Sequence, residues 1–273
     1  LSDDDLLSDE LFGRFSRLLH KKTGIALKEY KKYLVVNRLA QLVGPTKKFS
    51  NFEEFYQTLL TETDGTSMQA FINALTTNFS FFFRDPVHFG VMSLYLKERG
   101  QDEPYLRFWS AASSTGEEAY SMAITLAKQG IGLPPDRRIL ATDISTKVLA
   151  LAEKGVYGTE TIAQHVEPAD QKRYFEAIKD ENKFRVREEL RANLDFRQLN
   201  LQGDYPFRKL MDIIFLRNVM IYFGAQEKAQ IIEKMFAHLK PGGLLFIGLS
   251  ESLAGIHHRF VTYKSSVFRK PGA

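Results

Sequence analysis

The chain has 273 residues, 44% of them hydrophobic, no cysteine and a formal net charge of +4. That length suits one large domain plus a small one. The lack of cysteine excludes disulfides, thiolate metal sites and a cysteine nucleophile, and it fits a reducing cytoplasm. No stretch of apolar residues is long enough to span a membrane, and the acidic start, Leu1 to Glu10, lacks a signal-peptide pattern.

From Leu6 to about Leu96 the pattern is helical. Apolar residues recur at helical spacing in Leu11, Phe15, Leu18 and Leu19, then in Phe52, Phe55, Tyr56, Leu59 and Leu60. Breaks fall at Gly24, Gly44-Pro45 and Asp64-Gly65. Ser50 is expected to cap a helix starting at Asn51, with Glu53 three residues on. The window from Arg14 to Lys48 holds many lysines and arginines and a single acid, Glu29. Such a basic surface implies an acidic partner, whether nucleic acid, anionic lipid or an acidic protein helix; the plainer alternative is a solvated helix face. A helix expected from about Leu27 to Val43 puts Lys28, Lys31 and Arg38 near one face, with Lys32 adjacent. Val36, Leu39 and Val43 then form the core-facing stripe.

The character changes near Gln101-Asp102-Glu103-Pro104, after which strands and helices alternate. Expected strands are Tyr105–Ser110, Arg138–Thr142, Met211–Leu216 and Leu244–Leu249. Expected helices are Glu117–Lys128, Ser145–Glu153 and Gln226–Leu239, and Phe260–Arg269 reads as a terminal hairpin. This order predicts an α/β fold, a parallel sheet with helices on both faces. Lys183–Leu190 and Asn193–Leu199 are charged, β-rich runs that predict a small antiparallel excursion from that sheet.

The first expected strand leads into Ser110-Ala111-Ala112-Ser113-Ser114-Thr115-Gly116-Glu117-Glu118. Small residues there admit a nucleotide-like ligand, but one glycine does not make a dinucleotide fingerprint. Two carboxylates at a helix start disfavour phosphate and suit a cationic group, such as the α-amino group of a methionine moiety. Ordinary charge complementarity with the helix dipole is the alternative. Asp143, at the second strand's end, is placed to bind ribose hydroxyls. Asn200 and Arg217-Asn218 also stand at strand ends, where open α/β sheets bind ligands. The six histidines show no metal-ligand spacing, so no metal site is expected.

Five stretches together carry a family resemblance. They are Thr76-Thr77-Asn78-Phe79-Ser80-Phe81-Phe82-Phe83-Arg84-Asp85, Trp109 through Glu118, Ala141-Thr142-Asp143-Ile144, Leu216-Arg217-Asn218-Val219-Met220-Ile221-Tyr222-Phe223 and Leu239-Lys240-Pro241-Gly242-Gly243. In this order, over roughly residues 10 to 270, the chain resembles the CheR family of chemotaxis receptor methyltransferases. The resemblance implies an all-α receptor-recognition domain with linker (1–90) and a class I S-adenosylmethionine-dependent, Rossmann-like methyltransferase domain (91–273). A small antiparallel β-subdomain is expected at approximately 172–199. It implies transfer of a methyl group from S-adenosyl-L-methionine to glutamate carboxylates of chemoreceptors, leaving S-adenosyl-L-homocysteine. The enzyme would be cytoplasmic and recruited to membrane-bound receptor arrays.

Residue by residue, Asn78, Ser80 and Arg84 match the family's cofactor and active-site stretch, although threonine is common where Ser80 stands. Asp143 matches the ribose-binding acid. Asn200 with Leu201, and Arg217 with Asn218, match adenine-side contacts. Tyr222 matches a tyrosine near the methyl-transfer point; a core aromatic is its plainer reading. Either Glu117 or Glu118 faces the amino group, and Arg84 orients either the substrate or the cofactor; pairing with Asp85 is its structural alternative. Lys32 and Arg38 align with the family's receptor-recognition helix, which Lys28 and Lys31 extend. Some relatives tether to a receptor C-terminal pentapeptide through a longer, glycine-containing loop. Here Glu176–Lys183 is short and lacks glycine, so recognition independent of that peptide is expected. Two competing functions remain at this stage. A nucleic-acid methyltransferase would fit the basic helices, but Arg217-Asn218-Val219-Met220 stands where amino-directed enzymes carry Asn/Asp-Pro-Pro-Tyr. A noncatalytic receptor-binding module would keep the fold alone.

Overall fold

A computed structural model describes residues 7–99, 106–130 and 139–272. The change of character expected near 101–104, and the expected strand starts at Tyr105 and Arg138, lie outside the described residues.

Among the described residues, four helices build the N-terminal domain: α1 (Asp9–Thr23), α2 (Lys32–Leu39), α3 (Phe52–Thr61) and α4 (Thr66–Leu75). Their apolar faces close one core around Phe15, which meets the rings of Phe55, Tyr56 and Phe71 at centroid distances of 5.9, 5.2 and 5.5 Å. The single helix expected over 27–43 is instead a 3-10 turn (Glu29–Lys31) followed by the short α2. Val36, Leu39 and Val43 are buried as the stripe requires. The cap of α3 lies one residue later than expected. Asn51 Oδ1 accepts from Glu54 N–H at 2.9 Å, and Glu54 in return accepts from Ser50 N–H at 2.8 Å. Residues 76–85 leave the helical pattern as an irregular linker before α5 (Pro86–Arg99).

The second domain is a seven-stranded sheet. In chain order its elements are β1 (Phe108–Ala111), α6 (Glu117–Lys128), β2 (Ile139–Asp143) and α7 (Thr146–Lys154). After an excursion come β6 (Leu194–Gln198), β7 (Met211–Leu216), α11 (Ala225–His238), β8 (Leu239–Ile247), β9 (Val261–Lys264) and β10 (Val267–Arg269). The spatial order is β6-β2-β1-β7-β8-β10-β9; β6 to β8 run parallel, and the terminal hairpin adds antiparallel. Alternate residues of the central strands feed different cores. Phe108, Ile213 and Phe215 join one face with α5 and α6, while Trp109, Ile214 and Leu216 join the other with α11.

The excursion holds β3 (Val156–Gly158), α8 (Thr159–His165), α9 (Pro168–Tyr174), β4 (Phe175–Ala177), β5 (Lys183–Val186) and α10 (Glu188–Arg191). Its antiparallel sheet has the order β3-β5-β4, so the small sheet starts earlier than the expected 172. The run Asn193–Leu199 does not belong to it. Leu194–Gln198 pairs in parallel with β2 as the edge of the main sheet, where Leu194 and Phe196 pack on the core and charged neighbours face water. A half-exposed edge strand has the same composition as a small surface hairpin, so the pattern alone misplaced it. Between β4 and β5 the chain turns within residues 178–182, with Asp180 at φ 62° where a glycine would be unstrained.

His88, on α5, is fully buried between the rings of Phe215 and Phe246, and neither ring nitrogen has a hydrogen-bond partner. Burial first, and then the nearby Arg217 charge, lower its pKa to about 4. The unfolded chain therefore takes up a proton near pH 6.5 that the folded chain refuses. Stability from His88 is full above that pH and declines as pH falls toward 4. Relative to His88→Phe, the wild type is expected to lose up to about 3 kcal/mol between pH 7 and pH 4.5 in urea unfolding. Parallel pH profiles for the two proteins would refute this.

Candidate active site

A cleft enclosing about 1150 Å³, solvent at its mouth included, opens where the parallel strands end. Its walls come from both domains: Ile25, Leu27, Lys31 and Arg38 from one, Ser114, Asp143, Leu201 and Asn218 from the other. Two seams hold the domains together around it. At one, Phe223 pairs with Ile25 in an antiparallel bridge, Ala26 N–H donates to Tyr222 O at 3.1 Å, and Asn200 Nδ2 donates to Lys22 O at 2.8 Å. At the other, Gln69 and Asn73 of α4 bond to Ile144 O and Thr146 Oγ1, at 3.2 and 3.0 Å. Gly24 makes the first seam possible. It ends α1 at φ 76°, and a Cβ there would stand 2.5 Å from Gln202 Cγ.

The loop after β1 is pinned to β2. Ala112 and Ser113 N–H both donate to Thr142 O at 2.8 Å, and Ser114 N–H donates to Asp143 Oδ2 at 2.9 Å. Asp143 Oδ1 accepts from Ser145 N–H at 2.9 Å. Burial nonetheless pushes the Asp143 carboxyl above its ordinary range, against the pull of those N–H groups.

The two adjacent glutamates part company. Glu118 lines the cleft, whereas Glu117 does not and is tied to Thr115 Oγ1 at 2.7 and 2.8 Å. Burial raises both carboxyls; Thr115 opposes it at Glu117, and Arg217 opposes it at Glu118. Arg217 itself is the hub. Its guanidinium, buried at the end of β7, reaches Glu118 Oε2 at 3.1 Å, Asp85 Oδ2 at 2.8 Å and Arg84 O. Asp85 is thus the partner of Arg217 and not of Arg84. Arg84 lies 5.7 Å from the ring centroids of both Phe79 and Phe81, donates to Phe79 O at 3.2 Å and lines the cleft.

Of the expected site residues, Asn78, Ser80, Arg84, Glu118, Asp143, Asn200, Leu201, Arg217, Asn218 and Tyr222 all line this one cleft, as do Lys31 and Arg38. Lys28 lies outside it, exposed just before the 3-10 turn, and Lys32 pairs with Asp9 at 2.7 Å. Arg38 does not stand free on a docking face. It donates to Leu75 O, Thr76 O and Thr77 Oγ1 at 2.8, 3.3 and 3.0 Å, clamping the start of the linker. Residues absent from the sequence expectations include Asp85 as a partner of Arg217, Ser114, and Glu251, whose carboxylate accepts backbone N–H bonds beneath Asn218. Glu251 sits in an irregular segment with no periodic or motif signal.

This strand order, with a ligand cleft at the parallel strand ends and a carboxylate closing β2, defines a class I S-adenosylmethionine-dependent methyltransferase. The chain belongs to the CheR methyltransferase family: residues 10–76 match its all-alpha domain and residues 78–269 its S-adenosylmethionine-binding domain. It is 38% identical over 266 residues to the chemotaxis protein methyltransferase of Escherichia coli (strain K12), covering 96% of this chain and 91% of that protein. It is 40% identical over 252 residues to chemotaxis protein methyltransferase 2 of Pseudomonas aeruginosa, covering 91% and 89%. S-Adenosylmethionine is accordingly the cofactor of this enzyme. The cleft fits such a group: the Ser114 hydroxyl and Arg217 Nε are buried there without a partner, and Glu118 and Asp143 supply acceptors for a cationic, hydroxyl-bearing ligand.

Removing the Arg217 guanidinium leaves Glu118 and Asp85 without their counter-charge. Arg217→Met is expected to destabilise the protein by about 3–5 kcal/mol in urea unfolding. A loss under about 1 kcal/mol would show that the hub does not hold the site together.

Proposed function

We propose that this enzyme esterifies glutamate side chains on the cytoplasmic helical domain of chemoreceptors, and that the cleft residues divide the work as follows. The observation that carries the reading is the convergence of the motif residues on one cleft walled by a basic helical domain. When bound, S-adenosylmethionine supplies a sulfonium-activated methyl group. Asp143 retains free lone pairs for the ribose hydroxyls, and Glu118 takes the amino group. Leu201 and Asn218 flank the adenine side. Asn200 acts at one remove, because its amide is committed to Lys22 O and to Gln202 N–H. Ser80 and Asn78 line the approach to the reacting end, with Arg84 and Tyr222 beside the methyl-transfer point.

A glutamate carboxylate, with a pKa of about 4.3, is already ionised at neutral pH, so the reaction needs no general base. Bound in the cleft, the cofactor would supply its methyl carbon to an acceptor carboxylate oxygen, with the methyl–sulfur bond breaking to leave S-adenosylhomocysteine. The site's tasks are alignment of the reacting atoms and exclusion of water from the nucleophile. Arg84, flanked by Phe79 and Phe81, is suited to orienting a carboxylate at the cleft mouth.

The docking surface is the 3-10 turn. Lys28 and Lys31 ammonium groups each lie 6.0 Å from the ring centroid of Tyr30, which is 68% exposed. A cation pair around an exposed aromatic suits an acidic helix with apolar positions. Lys32 and Arg38 support this surface from behind through Asp9 and the linker. Recruitment to receptor arrays would follow from docking on the receptor; no helix among the described residues is long and apolar enough to cross a membrane. The short turn at 178–182 favours recognition without the receptor's C-terminal pentapeptide.

The decisive assay is transfer of labelled methyl to receptor protein as a base-labile ester. Asp143→Asn keeps one acceptor oxygen for the loop and is expected to bind S-adenosylmethionine about tenfold or more weakly. Base-stable label, or label entering RNA or DNA, would overturn the acceptor assignment; unchanged affinity in a folded Asp143→Asn protein would overturn the ribose contact.

Charge reversal tests the docking surface. Lys28→Glu with Lys31→Glu is expected to lower kcat/KM for receptor about tenfold or more at low salt, with the deficit shrinking as salt rises. Equal rates for mutant and parent at low ionic strength would place docking elsewhere.

A further inference from the structure

The polar end of β7 raises a physical problem. Leu216 is the last strand residue, Arg217 turns into the core, and Asn218 adopts φ 57°. Val219 leads into a 3-10 turn, Met220–Tyr222, that brings Tyr222 to the cleft and lets its carbonyl oxygen accept from Ala26 N–H across the domain seam. A left-handed asparagine followed by a tight turn leaves the Asn218 and Met220 N–H groups without a strand or helix partner. One carboxylate gathers them. Glu251 Oε2 accepts from Asn218 N–H at 2.8 Å and from Gly248 N–H at 2.7 Å, while Oε1 accepts from Met220 N–H at 2.9 Å.

Gly248 is part of the same device. A Cβ there would stand 2.7 Å from Asn218 Nδ2, 2.8 Å from Glu251 Oε2 and 3.1 Å from Asn218 N. The residue after β8 therefore has to be glycine for the carboxylate and the asparagine to meet. The Glu251 charge also reaches the cleft, where it is one of the charges acting on Glu118 beside Arg217 and Arg84.

The structure assigns Glu251 as a positioning residue for methyl transfer: it holds the 217–222 arm so that Asn218 and Tyr222 keep their places in the cleft. It does not touch the reacting atoms. Its leverage is geometric, because three charge-assisted bonds fix a segment whose own backbone is strained at Asn218. The inference rests on the cleft assignments proposed above, but it is separable from the identity of the acceptor.

The test compares wild type, Glu251→Gln and Gly248→Ala. Glutamine keeps one acceptor oxygen and turns an N–H₂ donor toward backbone N–H groups. Alanine leaves the carboxylate in place and pushes it and Asn218 apart. Amide hydrogen exchange of the cofactor-free proteins is expected to speed up about tenfold or more at Asn218 and Met220 in both variants, with protection of the β1 and β2 amides unchanged. Calorimetric affinity for S-adenosylhomocysteine is expected to fall about tenfold, and kcat about a hundredfold, with KM for receptor retained. Exchange and S-adenosylhomocysteine binding involve no acceptor, so a failure of the glutamate-ester reading leaves them intact. If Glu251→Gln does not fold, Gly248→Ala carries the decision alone. Wild-type exchange, affinity and turnover in a folded variant would overturn the assignment. So would activity losses that match the unfolded fraction.

Discussion

The buried guanidinium of Arg217 is the constraint on which the rest of the site depends. A lone cation at the end of a central strand would be prohibitively costly to desolvate, and here it is met by Glu118 from α6 and Asp85 from the linker. Those two contacts join three pieces of chain that are distant in sequence. The helix after β1, the arm after β7 and the linker from the all-α domain are each fixed by the same side chain. Because Arg84 O also accepts from it, the residue beside Asp85 is set in position by its backbone. Its side chain is left to the cleft and to the flanking rings of Phe79 and Phe81.

Charge balance around this hub bears on what the cleft can bind. Glu118 and Asp143 are buried carboxylates, and burial makes their charged forms less favourable than in water. A cationic ligand placed beside them recovers part of that cost. A phosphate would add to it. The same argument separates this cleft from the dinucleotide sites of related sheets, where glycines open backbone N–H groups to an anion. Here the corresponding N–H groups of Ala112, Ser113 and Ser114 are already used by Thr142 O and Asp143.

Much of this was legible in the residues, and what was not has physical reasons. Polar groups at strand ends stand out where they follow apolar runs, so Asp143, Arg217 and Asn218 could be placed at strand ends before any coordinates; Asn200 follows a charged run and had no such signal. Ion-pair partners are harder to see, because long-range pairing leaves no periodic trace. Asp85 sits next to Arg84 in sequence, yet the fold gives it to Arg217, 132 residues away. Glu117 and Glu118 looked equivalent, and only the helix orientation separates them: one carboxylate turns to Thr115, the other to Ser110, at 2.6 Å, and the cleft. The edge strand at 194–198 was assigned to the wrong sheet for a similar reason. Its composition reports half-exposure and carries no information about its neighbour.

The basic face illustrates how sequence counts of charge overstate a docking surface. Lys28, Lys31, Lys32 and Arg38 look alike by spacing, but the fold uses them differently. Arg38 spends its donors on the carbonyls of residues 75 and 76 and on Thr77, where the linker leaves α4. Lys32 reaches Asp9 on α1. That leaves Lys28, exposed just before the 3-10 turn, and Lys31, half-buried at its end and lining the cleft, both near Tyr30. The division has a mechanical consequence. The same short segment, 28–38, meets solvent through its first residues and grips the entrance of the linker through its last. The linker in turn carries Asn78, Ser80 and Arg84 to the cleft. A partner helix bound at Lys28 and Lys31 would therefore rest on an element already locked to the residues that line the approach to the methyl-transfer point. On the docking proposed above, the path from Lys28 and Lys31 to the cleft runs through the Arg38 clamp on the linker.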